Sequence, residues 1–254
     1  MKLRILGCGT SSGVPRIGND WGDCDPMNPR NRRSRASILV ESATTRLIVD
    51  TSPDMRQQLL DADVVDIDAI LWTHDHADHC HGIDDVRQLF HARRMPVPGY
   101  AYAEALKQLQ RRFDYVFTGR DGYPPTVEPA VLEPDMTIGD IRIRCVPQPH
   151  GSIFSAGFRF DHGGRSVGYS TDLHEFTNEM VALFGGVDLW VVDALRVRPH
   201  PTHAHLDQTL EAIRTCQPGR AVLTHMDQSM DYARLTESLP DGVAPGYDGM
   251  EVSL

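Results

Sequence analysis

The sequence predicts an α/β fold in which two β-sheets are covered by helices. Three observations lead there. Short apolar or alternating runs of strand length recur along the chain, and after the first three they are interleaved with helical stretches. Four of these runs stop close to a His or an Asp, as happens where an α/β sheet gathers a site at the carboxyl ends of its strands. One run opens directly into Thr73-His74-Asp75-His76-Ala77-Asp78-His79-Cys80-His81-Gly82.

In chain order, residues 2–7, 36–41 and 45–50 read as strands, the last two as a hairpin turning at Ala43-Thr44. Residues 53–61 read as a helix with Pro53 in its first turn. The apolar strand 68–72 feeds the histidine run, and a helix follows from about Ile83 to Arg93. Residues 113–130 carry Gly119, Gly122, Pro124, Pro125 and Pro129, and are expected to form a loop or insertion. Strands are expected at 139–146, 155–160 and 165–170, the last pair turning at Gly163-Gly164. A helix near 175–184 leads to the strand 187–193, and a helix at 206–216 leads to the strand 220–224. No repeat or composition shift marks a linker, so one domain over 1–254 is expected.

Composition narrows the class. Hydrophobic residues make up 41% and charged residues 24%, which excludes a disordered chain. No apolar run approaches the length of about 18 residues that a membrane span needs, and the amino-terminal apolar stretch is too short for a signal peptide. A cytoplasmic location with no membrane partner is the expectation. The five cysteines are scattered and odd in number, without C-x-x-C spacing, so no disulfide framework is expected. A net charge of −10 disfavours a large RNA partner.

Histidine is over-supplied. Of twelve, seven stand in two short clusters at 74–81 and 200–205, and His150 and His225 stand alone after apolar runs. His74, His76, Asp78 and His79 place four possible metal ligands within six residues, a mixture of imidazole and carboxylate that suits Zn, Mn or Fe. A lone His after a strand is ordinarily a satisfied surface or core group. Four possible ligands in one loop, with His150, Asp172 and His225 after three later strands, point instead to a binuclear hydrolytic site.

With these residues the chain resembles the metallo-β-lactamase-fold hydrolases. It is similar to the phosphodiesterase branch that contains PhnP, and more distantly to the ribonuclease Z enzymes. The stretches that carry the branch resemblance are Gly7-Cys8-Gly9-Thr10-Ser11-Ser12-Gly13-Val14-Pro15, the segment from Asp25 to Arg33, Asp50-Thr51-Ser52-Pro53-Asp54, and His81-Gly82-Ile83-Asp84-Asp85-Val86-Arg87. The resemblance implies an αβ/βα sandwich of two mixed sheets flanked by helices. It implies two divalent metal ions (Zn or Mn, with Fe open), one held by His74, His76 and His150 and the other by Asp78, His79 and His225. Asp172 would bridge them, and a water activated between them would attack. Asp50 and Asp193, each ending a strand, are candidates to orient the ligands from behind.

The same resemblance makes Asp78 and His203 the candidate catalytic residues. His203 would contact phosphate and donate a proton, with His205 as the second candidate for substrate binding. The expected activity is cleavage of small or cyclic phosphodiesters. Alternatives are thioester or lactone hydrolysis on the same fold, and ribonuclease Z-like RNA processing. Relatives are often dimers, so a homodimer is compatible. The run from Arg30 to Arg35 offers phosphate contacts, but pairing with Asp23 and Asp25 in a solvated loop is weighted slightly higher. Branch members with several cysteines after the first strand carry a structural zinc. Here only Cys24 stands in that loop, and no such zinc is expected.

Overall fold

The computed structural model describes residues 1–254. The chain runs β1 (Lys2–Gly7), β2 (Ser37–Glu41), β3 (Arg46–Val49), α1 (Met55–Asp61), β4 (Ala69–Leu71), α2 (Ala77–Cys80), α3 (Val86–Arg93), β5 (Val97–Ala101), α4 (Ala103–Arg112), α5 (Asp114–Thr118) and β6 (Val127–Val131). The second half runs β7 (Asp135–Ile138), β8 (Ile141–His150), β9 (Ile153–His162), β10 (Arg165–Ser170), α6 (Asn178–Phe184), β11 (Leu189–Asp193), α7 (Leu206–Cys216), β12 (Arg220–Thr224), α8 (Tyr232–Ser238), β13 (Val243–Pro245) and β14 (Glu251–Ser253).

These strands form two seven-stranded mixed sheets, in the orders β14-β1-β2-β3-β4-β5-β6 and β7-β8-β9-β10-β11-β12-β13. Both sheets, read in that direction, pair antiparallel from the first strand to the fourth and parallel from the fourth to the seventh. The strand alternation explains the layering. In β1 to β4, Leu3, Ile5, Ile38, Val40, Leu47, Val49, Ala69 and Leu71 face the core shared with the second sheet. Leu6, Leu39, Ile48 and Ile70 point the other way, onto α1, α3 and α4.

Local chemistry sets the turns. Ser42 Oγ accepts from the N–H groups of Thr44 and Thr45, closing the hairpin expected at Ala43-Thr44. Gly163 and Gly164 both have positive φ (59° and 75°), as a two-residue hairpin turn requires. Thr177 caps α6 by accepting from Met180 N–H.

The structure corrects the sequence reading in several places. Residues 113–130 are not a loop: they hold α5 and most of β6. Pro129 is accommodated because β6 is the sheet's edge strand, where a missing N–H donor is tolerated. The strand expected at 139–146 runs on through Pro147 and Pro149 to His150, paired along its length with β9. The helix from Ile83 divides into a 3₁₀ turn at 83–85 and α3. The arginine run does not pair with Asp23 and Asp25. Arg30 lies over Tyr232 and Tyr247, Arg32 over Trp21, and Arg35 pairs with Asp54 at 3.0 Å. Arg33 is buried and donates to the carbonyls of Met230 (2.5 Å) and Asp227 (3.2 Å). β5, α4, β7, α8, β13 and β14 were not anticipated.

Candidate metal centre

β4 is buried on both faces and ends at Leu71, after which Trp72, Thr73 and His74 continue inward with no exposure. The chain then turns out to the exposed His76 and back into α2, which carries Asp78 and His79. From the other sheet come His150 at the tip of the β8–β9 hairpin, Asp172 two residues past β10, and His225 directly past β12. Asp172 and His225 have left-handed backbones (φ 56° and 57°), as does Asp50 past β3 (φ 68°). Such a turn reverses the chain abruptly at a strand end, at a modest conformational cost that sites commonly carry.

Besides two overlapping groups in which His203 meets His150 and Asp172, and Asp193 and His225, two groups of side chains converge: His74, His76 and His150, and Asp78, His79, Asp172 and His225. Asp172 stands between them. Its Oδ1 faces His150 Nε2 at 3.6 Å and His74 Nε2 at 4.0 Å, while its Oδ2 faces His79 Nε2 at 3.0 Å and His225 Nε2 at 3.4 Å. Asp78 Oδ2 lies 3.3 Å from His79 Nε2 and 3.5 Å from His225 Nε2. His76 Nδ1 and His150 Nε2 are 3.3 Å apart.

The outer ring nitrogens of His74, His79 and His150 are tied back to the protein. His79 Nδ1 lies 2.7 Å from Asp50 Oδ2, and Asp50 is fixed by Thr73 N–H and Oγ1. His150 Nδ1 donates to Thr202 O (2.9 Å), and His74 Nδ1 contacts Thr73 Oγ1 (2.9 Å). Asp193 Oδ2 accepts from the N–H of Asp172 (3.0 Å) and meets His203 Nδ1 at 3.2 Å. The inner nitrogens of His74, His79 and His225 are buried without a hydrogen-bonded partner. Unpaired buried imidazole nitrogens are costly, and a set of them aimed at carboxylate oxygens fits divalent cations.

The electrostatics divide the imidazoles of that donor set into two groups. Burial pushes His74 and His150 below the usual imidazole range, and partial desolvation at the exposed rim lowers His76 too; the neutral form so favoured is the one that coordinates metal. Burial works the same way on His225 but is outweighed by Asp172 and Asp78, which lift it to about 9. His79 is raised by the same carboxylates and Asp50. Burial would raise Asp78 and Asp172, yet the neighbouring imidazoles hold both below the carboxylate range.

His203 joins this cluster at its mouth. Its ring stacks on His225 (centroids 4.9 Å apart, 11° between planes), lies 4.8 Å from the His150 ring, and places Nδ1 3.7 Å from Asp172 Oδ1. His205 stands apart: it occupies the position before α7 and belongs to none of the ligand groups. His200 packs against His203 with centroids 5.2 Å apart. Ser11, Gly151 and Thr202 also line the cleft, and none of them was singled out for a role from the sequence. Ser11 sits in the Gly-rich stretch after β1, whose resemblance to the branch was the signal it gave.

The chain matches the Beta-lactamase superfamily domain over residues 45–226. A crystal structure described as a new diphosphatase from the PhnP family is similar over 100% of this chain and 97% of its own, at 32% identity and a TM-score of 0.91. Zn²⁺-bound PqqB from Methylobacterium extorquens shares the fold (18% identity, TM-score 0.82, the whole of both chains). A protein named octanoyltransferase from Porphyromonas gingivalis is 31% identical over 258 residues, 99% of this chain and 51% of that protein, so this chain spans about half of that relative's length. The fold, the converging ligand groups and these matches agree: the chain belongs to the metallo-β-lactamase superfamily of hydrolases, within the PhnP family.

Proposed function

We propose that the protein is a binuclear metal-dependent phosphodiesterase acting on small or cyclic phosphodiesters, or on the related P–O–P linkage of a diphosphate diester. The observation that carries this reading is Asp172, whose two carboxylate oxygens each face a separate imidazole group. His74, His76 and His150 would hold one cation, and Asp78, His79 and His225 the other. Two such cations, when bound, activate water and offset charge developing on phosphoryl oxygens. The two sheets would then act as one domain over 1–254, since the ligands come from both.

The remaining chemistry belongs to the chain. Asp50 and Thr202 O fix the outer nitrogens of His79 and His150, leaving their inner nitrogens for the metals. Asp193 holds His203 by Nδ1, so that Nε2 is free for the substrate. His203 protonates the departing oxygen, and Asp193 stabilises the protonated ring before transfer. The similarity to a protein named a diphosphatase supports phosphoryl chemistry. A net charge of −10 argues against a large RNA.

The test loads purified protein with Zn²⁺ or Mn²⁺, measures metal content, and follows hydrolysis of bis(p-nitrophenyl) phosphate, 2′,3′-cyclic nucleotides and a diphosphate diester. About two ions per chain with turnover of at least one of these is expected; absence of turnover with either metal would sink the reading. A second reading is hydrolysis of a thioester or lactone on the same fold, where the bound metals would direct water at a carbonyl carbon and no phosphate-binding histidine is required. Thioester turnover that survives His203→Ala, without phosphodiester turnover, would select it.

A further inference from the structure

Beside the metal cluster lies a second cavity of about 390 Å³, and the two share Ser152 and Ile153. Its walls come from both halves of the molecule. Tyr102 and Ala105 stand at the start of α4, and Pro147, Ile153 and Phe154 belong to the β8–β9 hairpin, whose tip presents His150 to the metals. Phe154 is 62% exposed, although β9 holds it in register opposite Pro149. A large ring left in water on a firmly paired strand, at the rim of a polar site, is apolar surface without a partner in the fold.

The charges of this cavity are already matched. Asp75 is ion-paired with Arg112, and Glu104 lies 3.8 Å from Lys107. No lysine or arginine lines the wall, so nothing there would hold a second anionic group. The phosphoryl charge has its counter-charges next door. What remains to be seated on the shared Ser152–Ile153 edge is one of the substrate's ester groups.

Building on the phosphodiesterase reading, we infer that this cavity is a specificity subsite for an uncharged, aryl-sized ester group, with Phe154, Ile153 and Tyr102 as its determinants. Its volume falls within the range of small-molecule pockets, and its mixed aromatic and aliphatic lining recognises a flat apolar group through water exclusion. Even a single methylene in an apolar pocket is worth roughly tenfold or more in discrimination, so phenyl should exceed methyl by at least about tenfold.

Two paired measurements test this on the metal-loaded protein. One compares binding of phenylphosphonate and methylphosphonate by calorimetry. The other compares kcat/KM for phenyl and methyl p-nitrophenyl phosphate. In the wild type, phenyl is expected to lead in both pairs by about tenfold or more. Phe154→Ala should bring both ratios close to one, and Phe154→Leu should leave them in between. A wild type without preference overturns the assignment, as does a Phe154→Ala variant that weakens phenyl and methyl ligands by the same factor. Phosphonate binding requires no turnover. A phenyl preference in binding, without hydrolysis of any diester, would uphold the subsite while removing the phosphodiesterase reading.

Discussion

At the scale of single residues, the candidate site depends on carboxylates used from both sides. Asp172 Oδ1 and Oδ2 serve different imidazole groups, so Asp172→Asn, which keeps the shape and removes the charge, should reduce metal content from about two ions per chain to one or none by mass spectrometry. The Asp50 carboxylate hydrogen-bonds only His79 and Thr73, yet Asp50→Asn should weaken metal affinity by about 10–100-fold, read by competition with a chelator. His203→Ala should lower kcat by about 10²–10⁴ on diesters with an alkoxide leaving group, and far less on those releasing p-nitrophenolate, which needs little protonation. Equal losses on both would remove His203 as the proton donor. These residues were legible because ligand chemistry concentrates unusual residue types. His74 to His79 crowd into one loop, and Asp172 and His225 interrupt apolar runs. Thr202 was not legible, since it contributes a backbone carbonyl that any residue would supply.

At the scale of elements, the two sheets repeat one pairing pattern. In each, the change from antiparallel to parallel falls on the fourth strand, β3 in one sheet and β10 in the other. Each of those strands is followed by a left-handed aspartate, Asp50 and Asp172. The site lies at this switch of pairing, where neighbouring connections diverge and leave a crevice. The central strands could be read from apolar periodicity, and α7 matches its expected bounds of 206–216. β6, β13 and β14 were not readable because short or edge strands are specified by what they pair with. Gly82 shows the close fit around α2: a Cβ there would sit 2.0 Å from Ser52 O. Gly82→Ala should cost about 1–3 kcal/mol of stability, measured by denaturant unfolding. An unchanged midpoint would show that the 51–55 segment yields easily.

At the scale of the whole molecule, metal held as proposed would link the sheets, because one supplies His74, His76, Asp78 and His79 and the other His150, Asp172 and His225. Chelation should therefore lower the unfolding temperature. At a hundredfold excess over Kd each ion adds about 2.7 kcal/mol, which for a chain of this size corresponds to roughly 5–11 °C. A second whole-molecule link is Asp248, half-buried near the carboxyl terminus, which accepts from Cys8 N–H (3.1 Å) and from Ser34 N–H and Oγ (2.6 Å each). Burial outweighs these bonds and raises its carboxyl to about 6. The fold thus favours the protonated form. That contribution is complete below the ordinary carboxylate pKa near 3.8 and is lost as pH rises through about 6, an amount of about 3 kcal/mol. The stability of wild type relative to Asp248→Asn should accordingly fall between pH 4 and 7 in denaturant titrations.

The pairing of β1 with β14 brings Leu254 N–H within 2.9 Å of Met1 O. β1 then runs about 20 Å toward Gly7 and Cys8, and beyond it Gly9 bridges to Met226 beside His225. Both ends of this chain therefore emerge side by side at the edge of the sheet remote from the ligands. An affinity tag, a tether to a surface or a second domain can be joined at either end with the same geometry and without shading the cleft. Such fusions should retain the metal content and turnover of the free chain.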